Sequence, residues 1–265
     1  LRVLVIPQLT RIGDLVCATP VFAAIKEKYP DAHLAVVTTN KVVGVVKNNP
    51  HIDELLVYKS SELGALVRRI KHGRFDWSFS LSGSLFANLV AFNGCVARRV
   101  KLTRSDRPLA ELLTDWLNTD ALFYEHESYL PRRFLDMLAL IGIKNPIERK
   151  EVFSTPESEA KAETFFLNLN LRDQGGHAFR TIGISISAGN SIKEWGDEKF
   201  LALAKKLLEK YCDAVLIFIG APRDGKKIDA ILAELNSNRV FKPVDFRIED
   251  LPSLMKRLNL FISAD

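Results

Sequence analysis

The sequence predicts an α/β protein of two doubly wound parallel-sheet domains. Three observations carry this. Short apolar runs of strand length alternate with amphipathic stretches of helix length. The alternation stops in a charged, proline-bearing stretch, KNPIERKEVFSTPESE, and then restarts. The 265 residues suffice for two ordinary domains with real cores. The boundary is placed at residue 150, giving domains 1–150 and 151–265.

The first domain opens on VLVIP, a strand, followed by the loop TRIGD and a helix over Pro20–Lys28 with apolar residues at helical spacing. HLAVVTT is a second strand. KVVGVVKNNP reads as a short helix ended by Asn and Pro. ELLVY is a third strand. Residues 61–72 read as an amphipathic helix, with a serine at its start and Gly73 just past its end. WSFSLSG is a fourth strand, and SLFANLVAFNG a helix closed by Gly94. Residues 98–107 are strongly basic, 118–133 polar and aromatic, and 131–142 helical.

In the second domain, Ser154 or Thr155 caps a helix that starts with Pro156. TIGISIS is a strand, 197–211 a helix capped by Asp197, and AVLIFIG a strand. A helix over 222–236 opens with Pro222, and another covers 250–258. NLFISAD is a last strand. Because such domains carry ligand loops after their strands, further residues are expected beyond Asp265, and because the chain opens on Leu1 and not Met, an earlier start is expected.

Composition bounds the chemistry. Net charge is +5 and the isoelectric point about 9.1, which favours anionic partners. No apolar run reaches the length of a membrane span, and no signal peptide is visible. Cys17, Cys95 and Cys212 are odd in number and far apart. They are expected as buried free thiols in a reducing, cytoplasmic compartment. His33, His51, His72, His126 and His177 are scattered, so no metal site is expected. There is no GxSxG elbow, no GxxxxGK[ST] loop, and no interleaving of aromatic and basic residues as in single-strand binders. Serine hydrolase, P-loop NTPase and nucleic-acid reader all lack their signals.

In open parallel sheets, ligands gather at the carboxyl ends of strands. Asp14, in the first such junction, reads either as a helix cap or as a carboxylate able to take a proton from a hydroxyl nucleophile. One glycine there, Gly13, does not make a dinucleotide fingerprint. Gly83 and Ser84 form a small turn after the fourth strand, either an ordinary βα turn or a place for close approach. Arg98, Arg99, Lys101, Arg104 and Arg107 follow, either solvated or facing an anionic ligand. In SISAGNSIKEWG, Ser185, Ser187, Gly189, Asn190 and Ser191 precede Lys193 and Trp195. Small residues admit phosphate oxygens to backbone N–H groups, and lysine adds charge. Gly220, Ala221 and Arg223 follow the next strand, and Asp265 the last.

Taken together, RIGD running into ATPVFAAIKEKYPDAHLAVVT, FDWSFSLSGSLFANLVAFNG, GISISAGNSIKEWGDEKFLALAKKL, FIGAPRDG and LFISAD resemble glycosyltransferase family 9, the lipopolysaccharide heptosyltransferases. The resemblance spans nearly the whole chain. It implies a GT-B fold, with two Rossmann-like domains facing across a cleft. It also implies inverting, metal-independent transfer from ADP-heptose to the lipopolysaccharide inner core. No cofactor is implied; the nucleotide-sugar is a substrate, the second partner is an anionic glycolipid, and contact is with the inner face of the bacterial cytoplasmic membrane. By motif, Asp14 matches the general base and Lys193 the diphosphate-binding lysine. Ser187 and Asn190 lie in the donor turn, and Asp265 matches the first residue of a D-T-G-x-x-H donor loop. Gly220 and Arg223 join the donor set. Arg11, Gly83, Ser84, Arg98 and Arg104, with Arg132 and Arg133, are candidates for the acceptor. Two other readings fit the same residues: a GT-B transferase or epimerase with another nucleotide-sugar, and a non-catalytic sugar-nucleotide or glycolipid binder.

Overall fold

The computed structural model describes residues 1–104, 114–125, 128–169 and 179–264. The chain divides into two compact units, Leu1–Phe153 and Ser154–Asp265. Arg107 and Asp265 lie outside the described residues.

The first unit contains β1 (Arg2–Ile6), α1 (Ile12–Lys28), β2 (His33–Thr39), β3 (Glu54–Tyr58), α2 (Leu63–Gly73), β4 (Trp77–Ser80) and α3 (Leu85–Asn93). Then come β5 (Arg98–Arg104), β6 (Asp120–Tyr124) and α4 (Leu130–Asp136). All six strands are parallel, in the order β3-β2-β1-β4-β5-β6. That is the doubly wound order, with its switch point between β1 and β4. Val3, Leu4, Val5 and Ile6 are fully buried, as parallel strands covered on both faces require. Leu4 and Ile6 face a cluster with Leu66 and Ile70 of α2 and Ala87, Val90 and Ala91 of α3. On the other face, α1 and α4 pack together.

The second unit contains α5 (Pro156–Asn168), β7 (Arg180–Ser185), α6 (Asp197–Lys210), β8 (Ala214–Phe218), α7 (Gly225–Leu235) and β9 (Val240–Phe241). It continues with α8 (Leu251–Met255) and β10 (Leu260–Ser263). Its parallel sheet runs β10-β7-β8-β9. Read from the far edge, this repeats the first four strands of the first sheet. Its switch point lies between β7 and β10.

Several local expectations change. The basic run at 98–104 is a strand, β5, and the polar-aromatic stretch supplies β6; neither shows clean apolar alternation. KVVGVVKNNP is one turn of 3₁₀ helix, Val43–Val45, between turns. Residues 131–142 split into α4 and a 3₁₀ segment, Met137–Ile141. α2 is preceded by a 3₁₀ turn at Ser60–Glu62 and has no side-chain cap. Gly73 is its last residue, and Arg74 takes the left-handed position after it at φ 46. Gly94 closes α3 as expected, and the residue after it, Cys95, is left-handed at φ 55. Asp197 is the first residue of α6; Gly196, at φ 104, holds the cap position. Pro222 opens a 3₁₀ turn, Pro222–Asp224, that leads into α7. Thr155 caps α5 as expected, its hydroxyl accepting from the Ser158 N–H at 3.1 Å. Cys95 and Cys212 are free but exposed, and Cys17 half-buried, against the expectation of buried thiols.

Candidate functional site

The carboxyl edge of the first sheet is built around the switch point. The loop after β1 is pinned to the end of β2 by the Thr39 hydroxyl, which donates to the Leu9 carbonyl at 2.7 Å. α1 begins at Ile12. Arg11 holds the cap position with extended backbone and no side-chain capping bond. Asp14 is therefore the third helical residue and not the cap. Its carboxylate sits among the free N–H groups of the first turn, whose dipoles favour an anion. Arg11 lies 3.8 Å away, with its side chain 72% exposed against 29% for Asp14. Burial pushes the Cys17 thiol up; Lys150 opposes this, and the charge of Asp14 adds to it.

Across the switch point, Gly83 adopts φ 59, and a Cβ there would overlap the Leu102 carbonyl oxygen of β5. Only glycine lets the two strands' ends approach so closely. Ser84 caps α3, its hydroxyl accepting from the Ala87 N–H at 3.3 Å and from the Ser82 hydroxyl at 3.1 Å. The small turn read from the sequence thus already has a full structural role.

The basic run does not act as a unit. Arg104 ends β5 at the carboxyl edge, opposite Tyr124. Arg98 begins the same strand, so it lies at the amino edge, away from Asp14 and Ser84. There it pairs with Asp120 at 3.1 Å and lies over the Trp77 ring at 5.1 Å. Arg99 donates to the Leu117 and Val96 carbonyls, tying β5 to the approach to β6. Lys101 is 1% exposed and ion-paired with Asp115. Residues 100–103 of β5 are all buried, so the strand is covered on both faces at Lys101, which a sum of charges cannot show. Arg132 is held by Asp136 and Glu148, and Arg133 lies over the Tyr124 ring at 4.4 Å. Beneath α3, the Ser80 hydroxyl and both amide atoms of Asn88 are buried without a hydrogen-bond partner.

The carboxyl edge of the second sheet is more tightly bonded. The Ser187 hydroxyl donates to Asp224 at 2.7 Å, and the Ala221 N–H donates to the same carboxylate oxygen at 2.8 Å. Arg223 donates to the Ala188 carbonyl at 2.9 Å. These bonds lock the loop after β7 to the loop after β8. Gly220 fits because a Cβ there would stand 2.9 Å from Ile228 and 3.0 Å from Asp224. The Asn190 side chain accepts from the Ile192 N–H at 3.1 Å and so starts a 3₁₀ turn, Ser191–Lys193. Lys193 is exposed at the end of that turn. Trp195 packs edge-on against Phe200 at 5.1 Å.

Beside these loops, a cavity of about 370 Å³ opens at the ends of β8 and β9. Ile219, Pro222, Ile228, Val244 and Phe246 give it apolar walls, and Gly220, Lys242 and Asp245 also line it. A flat heteroaromatic ring fits such a lining. A larger cavity in the first unit, about 480 Å³, lies at the C-terminal end of α1 beside Gly142–Ile147, the opposite end from Asp14. Among the described residues, no group of His, Cys, Asp or Glu side chains could hold a metal ion. No helix among them is long and apolar enough to cross a membrane.

No family model matches the chain. Over 272 positions it is 22% identical to lipopolysaccharide heptosyltransferase 3 of Escherichia coli K12, a match covering 96% of this chain and 74% of the relative. Its fold superposes on a family 9 glycosyl transferase from Veillonella parvula with TM-score 0.80 and 20% identity, over 99% of this chain and 74% of that one. It superposes on the E. coli ADP-heptose lipopolysaccharide heptosyltransferase II with TM-score 0.79 and 16% identity, over 99% and 78%. The chain shares the fold of these glycosyltransferases.

The structure brings Asp14, Gly83, Ser84 and Arg104 to one sheet edge. It brings Ser187, Asn190, Lys193, Gly220 and Arg223 to another. Arg98 is removed from the first set by strand direction. Sequence reading missed two features. Asp224 is buried and organises both loops of the second edge. Its signal was present, since proline followed two residues later by an acid opens a helical turn. The loop Lys242–Phe246 supplies one wall of the cavity, and its irregular sequence carried no signal.

Proposed function

We propose that the chain is a lipopolysaccharide heptosyltransferase that moves a heptose from ADP-heptose to an anionic glycolipid of the inner core, with inversion and without a metal ion. The acceptor hydroxyl attacks the anomeric carbon, and the bond from that carbon to the diphosphate oxygen breaks. Asp14 takes the hydroxyl proton, and the electron pair leaves with ADP. The observation that carries this reading is the placement of Asp14. It is a part-exposed carboxylate in the first turn of α1, at the switch point, with the Arg11 guanidinium 3.8 Å away. A part-exposed carboxylate at a strand's carboxyl edge is the kind of group that serves as a general base toward a hydroxyl.

In the second unit, the locked loops leave the Ser187–Lys193 turn beside the apolar cavity. The turn suits phosphate oxygens and the cavity suits a nucleotide base, with Lys193 and Arg223 supplying positive charge for the leaving diphosphate. The likeness to heptosyltransferases along nearly the whole chain supports the sugar donor. Location at the inner face of the bacterial cytoplasmic membrane follows from the substrates proposed.

Turnover of ADP-heptose with a heptose-accepting core glycolipid tests this. Asp14→Ala is expected to lower kcat by about 100-fold or more while the donor's Kd, read by calorimetry, holds. Unchanged turnover removes Asp14 from the mechanism. Tight binding of UDP-sugars in place of ADP-sugars replaces the donor, and binding without turnover in the parent protein leaves a carrier in place of an enzyme.

A further inference from the structure

The outer surface of α2 and α3 is unlike an ordinary solvated layer. On α3, Leu85, Leu89 and Phe92 follow one another at i, i+4 and i+7, on one stripe. They are 54%, 41% and 37% exposed. Trp116, 68% exposed, stands against Phe92 with ring centroids 5.2 Å apart and widens the stripe. The inner face of the same helix, Ala87, Val90 and Ala91, already fills the core. α3 is therefore apolar on both faces, and its outer one is not needed for folding.

The neighbouring helix sets cations beside this stripe. Ile70 of α2 faces the core, and Arg69 bonds to Glu54 of β3 at 2.9 Å. At 100° per residue, this turns Arg68 and Lys71 outward and towards α3. Both are exposed. Neither α2 nor α3 contains an acidic residue. An apolar stripe rimmed by cations without counter-charges on the same helices complements an anionic bilayer. Apolar side chains enter the headgroup boundary while Lys and Arg meet lipid phosphates.

We propose that this face of the first unit docks on anionic phospholipid. The inference extends the proposed use of a glycolipid acceptor, but its test needs neither donor nor acceptor, so the two readings fail separately. Sedimentation of the whole protein with vesicles rich in phosphatidylglycerol is compared with pure phosphatidylcholine vesicles. Binding is expected to the former and to weaken with added salt. Leu85→Ser with Leu89→Ser, and separately Arg68→Glu with Lys71→Glu, should each weaken it by about 10-fold or more, with the thermal unfolding midpoint unchanged. Equal binding to both vesicle types, or binding that survives both variants, overturns the proposal. So does a parent protein that self-associates in solution through the same residues, since the stripe would then be a contact between copies.

Discussion

Asp14 and Asp224 hold the same place in their βα units and have opposite surroundings. Each is the third residue of the helical turn that follows a strand, each has a glycine beside it in sequence, and each has an arginine within three residues. Asp224 is 3% exposed and accepts from the Ser187 hydroxyl and the Ala221 N–H. Asp14 has an arginine at 3.8 Å and keeps 29% of its side chain exposed. The comparison teaches that position in the fold does not by itself separate a scaffold carboxylate from a reactive one. A carboxylate whose oxygens are bonded to neighbouring loops holds those loops. A carboxylate left loosely paired at a helix start can exchange a proton.

The sharpest test of this contrast exchanges the two readouts. Asp14→Asn is expected to cost about 100-fold or more in turnover, yet to change folding stability by no more than about 1 kcal/mol, the scale of one dipole interaction. Asp224→Ala is expected to destabilise by about 1–2 kcal/mol in urea unfolding, because it removes the acceptor of two part-buried hydrogen bonds that tie the loops together. If Asp14→Asn unfolds the protein, or Asp224→Ala leaves stability untouched, the distinction collapses.

A smaller effect probes the layer under α3. The Ser80 hydroxyl is buried without a partner, so Ser80→Ala should be neutral or stabilising by up to about 1 kcal/mol, read from the same denaturation curves. A clear loss of stability would mean that the hydroxyl has a partner after all.

The smallest effect separates an ordinary surface cluster from both carboxylates. Bonding to Ser154, Arg257 and Lys256 holds the Glu159 carboxyl at about 2, below its ordinary 4.5. Its contribution is present above pH 4.5 and is lost as pH falls towards 2. Because 34% of the side chain is exposed, solvent screening keeps this under about 1 kcal/mol. Glu159→Gln should flatten the stability profile across that window, and an unchanged acid slope would show that the cluster contributes nothing.

Much of the fold was legible because parallel strands buried on both faces read as continuous apolar runs. β1, β2, β7 and β8 could be placed from such runs. β5 and β6 could not. β5 carries Arg98, Arg99, Lys101 and Arg104 at strand positions, and each cation is accommodated by a contact formed only in the folded chain. The long, flexible stems of Arg and Lys let a charged strand bury its backbone while its ends find partners elsewhere. The stretch around residue 150 carries prolines and charge, and neither sustains a packed periodic element. Helix ends were read less well: Arg74 and Gly196 took positions assigned to Gly73 and Asp197, while Gly94 closes α3 as read. One residue's shift in a terminal turn costs little and is settled by tertiary packing.

By itself, the sequence determined the alternation of strand and helix, the division into two sheets and the junctions at which chemistry could gather. It did so because burial periodicity and turn residues act locally. Only the tertiary structure decided which charges at those junctions are available. A hydrogen bond from the distant Ser187 fixed Asp224 in place, strand direction carried Arg98 to the wrong edge, and cover on both faces of β5 enclosed Lys101. A residue's charge is written in its own position, but its freedom depends on the partners that the fold brings to it.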